Sequence, residues 1–75
     1  MTIEVSGTID RKGFGMGAWA LVSDAETYEL HSNTPKDLLQ AGITAKVRGK
    51  VRQDIMTLAM IGPVLEVETY EILGG

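Results

Sequence analysis

Apolar and polar residues alternate one by one along much of this chain, the period of a half-buried strand. Ile3, Val5 and Ile9 share one parity against Thr2, Glu4, Ser6 and Thr8, which predicts a strand over residues 2–9. Gly7 interrupts the apolar parity, and a glycine inside a strand marks a bulge or a sharp bend. Residues 18–23 predict a second strand and 27–31 a third, with Trp19, Leu21, Tyr28 and Leu30 inward. Between them Ser23-Asp24-Ala25-Glu26 reads as a tight turn in which Asp24 bonds nearby amides. Residues 43–52 alternate strictly, Ile43, Ala45, Val47, Gly49 and Val51 against Thr44, Lys46, Arg48, Lys50 and Arg52. After a turn at 53–56, residues 57–73 read as one strand interrupted at Gly62-Pro63, where the proline cannot donate to a ladder.

The periodicity changes once, between the third and fourth strands. Ser32, Asn33 or Thr34 can cap a helix, and Pro35 stands where a first helical residue tolerates the missing N–H. Lys36 to Ala41 then gives barely two turns, stopped by Gly42. The element order is therefore β-β-β-α-β-β. Five short strands cannot build a two-layer sandwich of normal size, but they can close into a small barrel with the helix plugging one end. The fold expected is all-β, a five-stranded closed barrel of the oligonucleotide/oligosaccharide-binding (OB) type, in a single domain over residues 1–75. A β-grasp fold is the rival order, and the third strand that precedes the helix argues against it.

At 75 residues the core is small, because a chain of this size buries only ~60% of the surface exposed on unfolding. There is no cysteine, so neither a disulfide nor a thiolate-bound metal can staple it. Packing, sheet closure or self-association must supply the stability. Gly13, Gly15 and Gly17 forbid a helix in the connection 10–17. The segment Met1-Thr2-Ile3-Glu4-Val5 lacks a basic stretch leading into an apolar one, so no signal peptide is expected. No apolar run approaches the ~18 residues of a membrane span, and the cytoplasm is the expected compartment. The net charge of −3 provides no overall attraction for nucleic acid or acidic lipid.

Several segments resemble a family of small, uncharacterised bacterial OB-fold proteins. They are Gly7-Thr8-Ile9, Trp19-Ala20-Leu21, Tyr28-Glu29-Leu30, Ala41-Gly42, Val47-Arg48-Gly49-Lys50-Val51 and Met60-Ile61-Gly62-Pro63-Val64-Leu65-Glu66-Val67. The resemblance spans nearly the whole chain. Its motifs are turn glycines and inward apolar residues, so it implies a fold and no activity.

Candidate chemistry begins with the basic ladder Lys46, Arg48, Lys50 and Arg52, four of the seven cationic residues on one face of one strand. A stripe of this kind can follow a phosphate backbone. In an OB barrel, however, strand four lies between strands one and five, so Glu4, Glu66 and Glu68 are expected to pair with it. Base stacking needs aromatic faces, and only Phe14, Trp19, Tyr28 and Tyr70 are present. Parity sends Trp19 and Tyr28 to the core and packs Tyr70 beside Ile72. Phe14, beside Arg11 and Lys12 in the glycine-rich connection, is left as the stacking candidate. A phosphate cradle at 13–17 is rejected because a strand follows it, where the fingerprint needs a helix.

His31 is the single histidine, and nothing sets Ser32 beside a base and an orienting acid. No catalytic residue, cofactor site or metal site is expected. Met56, Leu58, Met60 and Ile61 form an apolar patch around the last strand that a small barrel cannot hide completely. The terminal Gly74-Gly75 matches the ending of ubiquitin-like sulfur carriers on the wrong element order. The functional expectation is a non-catalytic binding module that docks a protein partner or itself through the strand-five region and loop 10–17. The alternative is weak single-stranded nucleic-acid binding through Arg11, Lys12, Phe14, Lys46, Arg48, Lys50 and Arg52.

Overall fold

A computed structural model describes residues 2–12, 18–55 and 61–75. Five strands account for most of them: β1 (Thr2–Lys12), β2 (Ala18–Val22), β3 (Thr27–Leu30), β4 (Thr44–Arg52) and β5 (Val64–Gly74). The sheet closes in a ring in the order β1-β2-β3-β5-β4, with β4 returning to β1. Strand β4 thus lies between β1 and β5, the two neighbours expected for it from the barrel order. All pairings are antiparallel except β3 with β5, which is parallel and rests on two register pairs, Glu29 with Val64 and Leu30 with Leu65. Arg11 and Lys12, expected in a connection, extend β1 instead. Among the described residues, no helix is long and apolar enough to cross a membrane.

The period-two pattern fills the ring. Ile9, Leu21, Val47 and Leu65 are fully buried, and Ile3, Val5, Trp19, Tyr28 and Tyr70 pack half-buried against them. Burying one such aliphatic side chain stabilises by ~1.5–3 kcal/mol relative to leaving it in water. Strand β1 serves two neighbours by bending. Its residues 2–8 pair with β4 and its residues 8–12 with β2, with Thr8 in both registers. Gly7 sits at the bend, where an added Cβ would collide with the backbone carbonyl of Val22. Gly49 plays the same part on β4, because its Cβ would meet the carbonyl of Glu66.

Two local expectations need correction. The helix expected over residues 36–41 is a three-residue 3₁₀ turn, Lys36–Leu38. Six residues between Pro35 and Gly42 are too few to repay helix nucleation. Tighter bonds form instead, from Leu38 N–H to the Pro35 carbonyl (3.1 Å) and from Leu39 N–H to that of Lys36 (3.0 Å). Leu38 is driven fully into the core, so the segment still plugs the ring without being helical. Gly42, with φ of 90°, turns the chain so that its N–H reaches the Ile9 carbonyl at 2.8 Å. In the β2–β3 turn the bonding side chain is Ser23 and not Asp24. Its hydroxyl donates to the Glu26 carbonyl and accepts from the Glu26 N–H at 3.1 Å.

The glycine at the β4 crossing is testable by denaturation. Gly49→Ala forces backbone apart and is expected to lower unfolding free energy by about 1–3 kcal/mol or more. Gly74→Ala, whose Cβ meets nothing within 4 Å, is expected to change it by less than ~0.5 kcal/mol. Equal urea midpoints for the two variants contradict the close crossing.

Candidate functional site

The basic ladder is on the outer face of β4, and β5 answers it with acids. Lys46 Nζ lies 3.8 Å from Glu71, Lys50 Nζ 3.6 Å from Glu68, and Arg52 donates to Glu66 at 2.9 Å. Arg48 faces Glu4 of β1 in register. Four cations therefore share the face with four glutamates, Glu4, Glu66, Glu68 and Glu71. The lysine pairs are exposed and worth ~0–1 kcal/mol each. Their consequence is electrostatic, since a face of balanced charge neutralises few phosphates and so releases few of the counterions condensed on a nucleic-acid backbone.

Glu71 is a partner that simple alternation misses. Gly49 pairs with Val67 but its neighbour Arg48 pairs with Thr69, so β5 carries one extra residue there. A bulge of this kind inverts the parity that follows it. Tyr70 consequently sits opposite Val47 on the core side, and Glu71 opposite Lys46 on the outer side. Ile72 and Leu73, at the far end of β5, are the large apolar residues exposed among the described ones, 45% and 52%. Gly74 is held in the sheet opposite Thr44.

A cavity of about 410 Å³ opens where β3 meets β5. Its walls come from several separate stretches: Arg11 at the end of β1, Ala18 and Trp19 at the start of β2, Glu29 to Ser32 at the end of β3, Leu39, Ile55 and Val64. Arg11 and Trp19 are register partners on β1 and β2, and directly opposite side chains share a face. The Arg11 guanidinium lies 5.2 Å from the centroid of the Trp19 ring, within the range of a cation–π contact. Trp19 is therefore half-buried and lines a cavity while still packing on the core. Glu29 on β3 is buried, 6% exposed. Among the described residues, every buried side-chain polar atom has a hydrogen-bond partner.

Beside the cavity runs a polar chain. His31 Nδ1 is 2.9 Å from Asn33 Oδ1 and accepts the Asn33 N–H at 3.1 Å when the ring is neutral. The Asn33 amide donates to Glu66 at 3.5 Å. Arg52 joins Glu66 to Asp54, donating from Nε at 2.9 Å and Nη2 at 2.7 Å to the two oxygens of Asp54. The bond from Arg52, with help from a backbone bond at Asp54 itself, holds the Asp54 carboxyl down at about 2. The bonds from Asp54 and then Glu66 push the Arg52 guanidinium further up.

The hydroxyls of Ser23 and Thr34 donate to backbone carbonyls, those of Glu26 and His31. Among the described residues, no group of three or more His, Asp or Glu side chains could hold a metal ion. Of the candidate contacts, Arg11 and Lys12 lie where β1 pairs with β2 and not with the ladder strand β4, and Arg11 stacks on Trp19, a residue expected in the core. Phe14, the 13–17 glycines, and Met56, Leu58 and Met60 lie outside the described residues. Sequence reasoning missed the cavity itself, together with Ile55, Val64 and Leu39 as its walls.

The Asp54–Arg52 pair sets an acid-side expectation. The folded carboxyl titrates near 2 against ~3.9 in an unfolded chain. Its contribution to stability is present above that unfolded value and is lost as pH falls from ~4 towards 2. Carboxyl NMR titration of Arg52→Met should return Asp54 to near 4; an unchanged midpoint removes Arg52 as the cause. In comparisons with known proteins, no family model, no curated protein and no solved structure matches this chain.

Proposed function

We propose that this chain is a non-catalytic binding module of OB type, whose protein partner seats an apolar side chain in the cavity at the β3–β5 seam. One observation carries the reading. An apolar-walled cavity of about 410 Å³ lies between the strand ends that flank the β1–β2 and β4–β5 connections. That volume falls within the roughly 300–1,000 Å³ of ordinary ligand sites. The ring order with β3 parallel to β5 supports the OB assignment, and in OB folds those two connections border the ligand face. The walls Trp19, Leu30, Leu39, Ile55 and Val64 suit an aliphatic or aromatic anchor, with Arg11, Glu29, His31 and Ser32 as the polar groups among them. The expected strand-five and loop 10–17 surface thus narrows to the point where their ends converge.

Single-stranded nucleic acid is the second reading, supported by the Arg11–Trp19 contact as a stacking element. The balanced β4–β5 face weakens it, because Lys46, Lys50 and Arg52 already contact acids.

Trp19 is the single tryptophan, so its emission reports the cavity directly. Peptides selected from a random library on the immobilised chain should shift that emission on titration. Ile55→Asp should weaken them at least about tenfold, ~1.4 kcal/mol. Failure of the library to yield peptides, or peptides indifferent to Ile55→Asp, contradicts the reading. An oligothymidylate that quenches Trp19 with a steep salt dependence favours nucleic acid instead.

A further inference from the structure

Along its first half, strand β1 has a neighbour on one side only. Residues 2–8 pair with β4 in unbroken register, and β2 joins the other edge from Thr8 onward. The direction of the main chain follows from Ile9, whose N–H donates to the Ile43 carbonyl and whose carbonyl accepts the Gly42 N–H, both at 2.8 Å. Ile43 leads into β4, so both polar groups of Ile9 point to the β4 side. In an antiparallel ladder these groups alternate in direction from one residue to the next. Val5 and Gly7 therefore bond β4, while Glu4, Ser6 and Thr8 turn their N–H and carbonyl groups to the opposite edge. Val22 of β2 meets Thr8 there. Among the described residues, no backbone group meets Glu4 or Ser6, because β2 ends at Val22.

We infer that this edge takes a strand from a partner: an extended basic segment whose backbone bonds Glu4 and Ser6 and whose Lys or Arg side chains stand beside Glu4 and Asp24. An open sheet edge is a template for strand addition, in which main-chain bonds give affinity and side-chain pockets give specificity. The inference goes beyond the cavity reading, since the two surfaces share no lining residue. An open groove of about 390 Å³ is lined by residues 3–6 of β1, residues 23–25 of the β2–β3 turn, and Tyr28. The side chains of an added strand alternate between the two faces of the sheet. Those on the inner face meet Ile3, Val5 and Tyr28, all half-buried, and those on the outer face stand beside Glu4 and Ser6. The segment recognised is accordingly one in which β-branched or aromatic residues alternate with basic ones.

Charge fixes the sign of the partner. Glu4 and Asp24 are exposed, and among the described residues the groove lining holds no cation. Arg48 lies opposite Glu4 in register, but the ion pairs of the ladder run from Lys46, Lys50 and Arg52 to Glu71, Glu68, Glu66 and Asp54. The same sign disfavours a second copy of this chain. Two β1 edges paired antiparallel place their Glu4 side chains near one another on one face. Strand β5, whose residues beyond Leu65 pair with β4 alone among the described strands, carries Glu66, Glu68 and Glu71. Like charges across neighbouring strands repel.

Amide exchange of the free chain tests the edge first. The Glu4 and Ser6 N–H groups should exchange within about tenfold of an unstructured peptide, and those of Val5 and Gly7 far more slowly. Equal protection of all four overturns the inference. Random peptides displayed on phage are then selected on the full chain carrying Ile55→Asp, which removes binders of the cavity. Selected sequences should alternate Lys or Arg with β-branched or aromatic residues. A synthesised one should slow exchange at Glu4 and Ser6 at least about tenfold, and N-methylation of its alternate amides should weaken it by a similar factor. Glu4→Gln with Asp24→Asn should weaken binding about tenfold and flatten its salt dependence. Ser6→Pro removes an N–H that β4 does not use and should abolish binding, with circular dichroism showing that the chain is folded; if it is not, the Glu4→Gln and Asp24→Asn variant carries the test. Selected peptides without basic residues, binding indifferent to N-methylation or to both sets of substitutions, or no peptides at all overturn the inference and leave the cavity reading intact. Enrichment of a sequence matching β5 makes the partner a second copy and overturns the basic segment.

Discussion

Two rungs of parallel ladder hold this ring shut. Every other seam is antiparallel, but β3 meets β5 only through Glu29 with Val64 and Leu30 with Leu65. The Glu29 N–H donates to the Pro63 carbonyl at 2.8 Å and the His31 N–H to that of Leu65 at 3.0 Å. Pro63 can offer no N–H, so it stands outside β5 as an acceptor and marks where the strand begins. The same residues that close the ring, Glu29 and Leu30 of β3 and Val64 of β5, also line the cavity, with His31 next to them. Closure and cavity are one structural fact, and the proposed function depends on both.

Charge is then partitioned around that opening. Strand β4 carries four cations outward, and β1 and β5 supply glutamates to match them, so the most conspicuous basic feature of the chain is balanced in place. The less conspicuous Arg11, one of a pair of cations at a strand end, is stacked on the single tryptophan beside the cavity. The ladder contributes register and solubility, while Trp19, with Arg11 over its ring, forms part of the cavity wall.

Much of this fold is legible in the residues themselves. Period-two alternation locates β1 and β4 closely, because one face of each meets the core and the other meets water. The cross-strand acids were expected from the place of β4 between β1 and β5. What escapes is whatever depends on a neighbour. The extra residue of β5 opposite the Arg48–Gly49 step inverts the parity of Tyr70 and Glu71, and nothing local announces it. Lys36 to Ala41 has helical composition and caps, yet burial of Leu38 and the short span favour a 3₁₀ turn. Trp19 has core parity with Leu21 and still lines a cavity, since its position at the strand end and its pairing with Arg11 arise only when β1 and β2 are in register. The cavity draws on residues as far apart in the chain as 11 and 64, a separation across which pattern carries no information.

Hydrogen exchange at two backbone amides tests the seam most directly. If the ring is closed as described, the Glu29 and His31 N–H groups, bonded to Pro63 and Leu65, exchange as slowly as the amides at the centre of β4, through global opening of the structure. Exchange of both at the rate of an unprotected peptide would mean that β3 and β5 are not joined, and the cavity they frame would have no fixed walls.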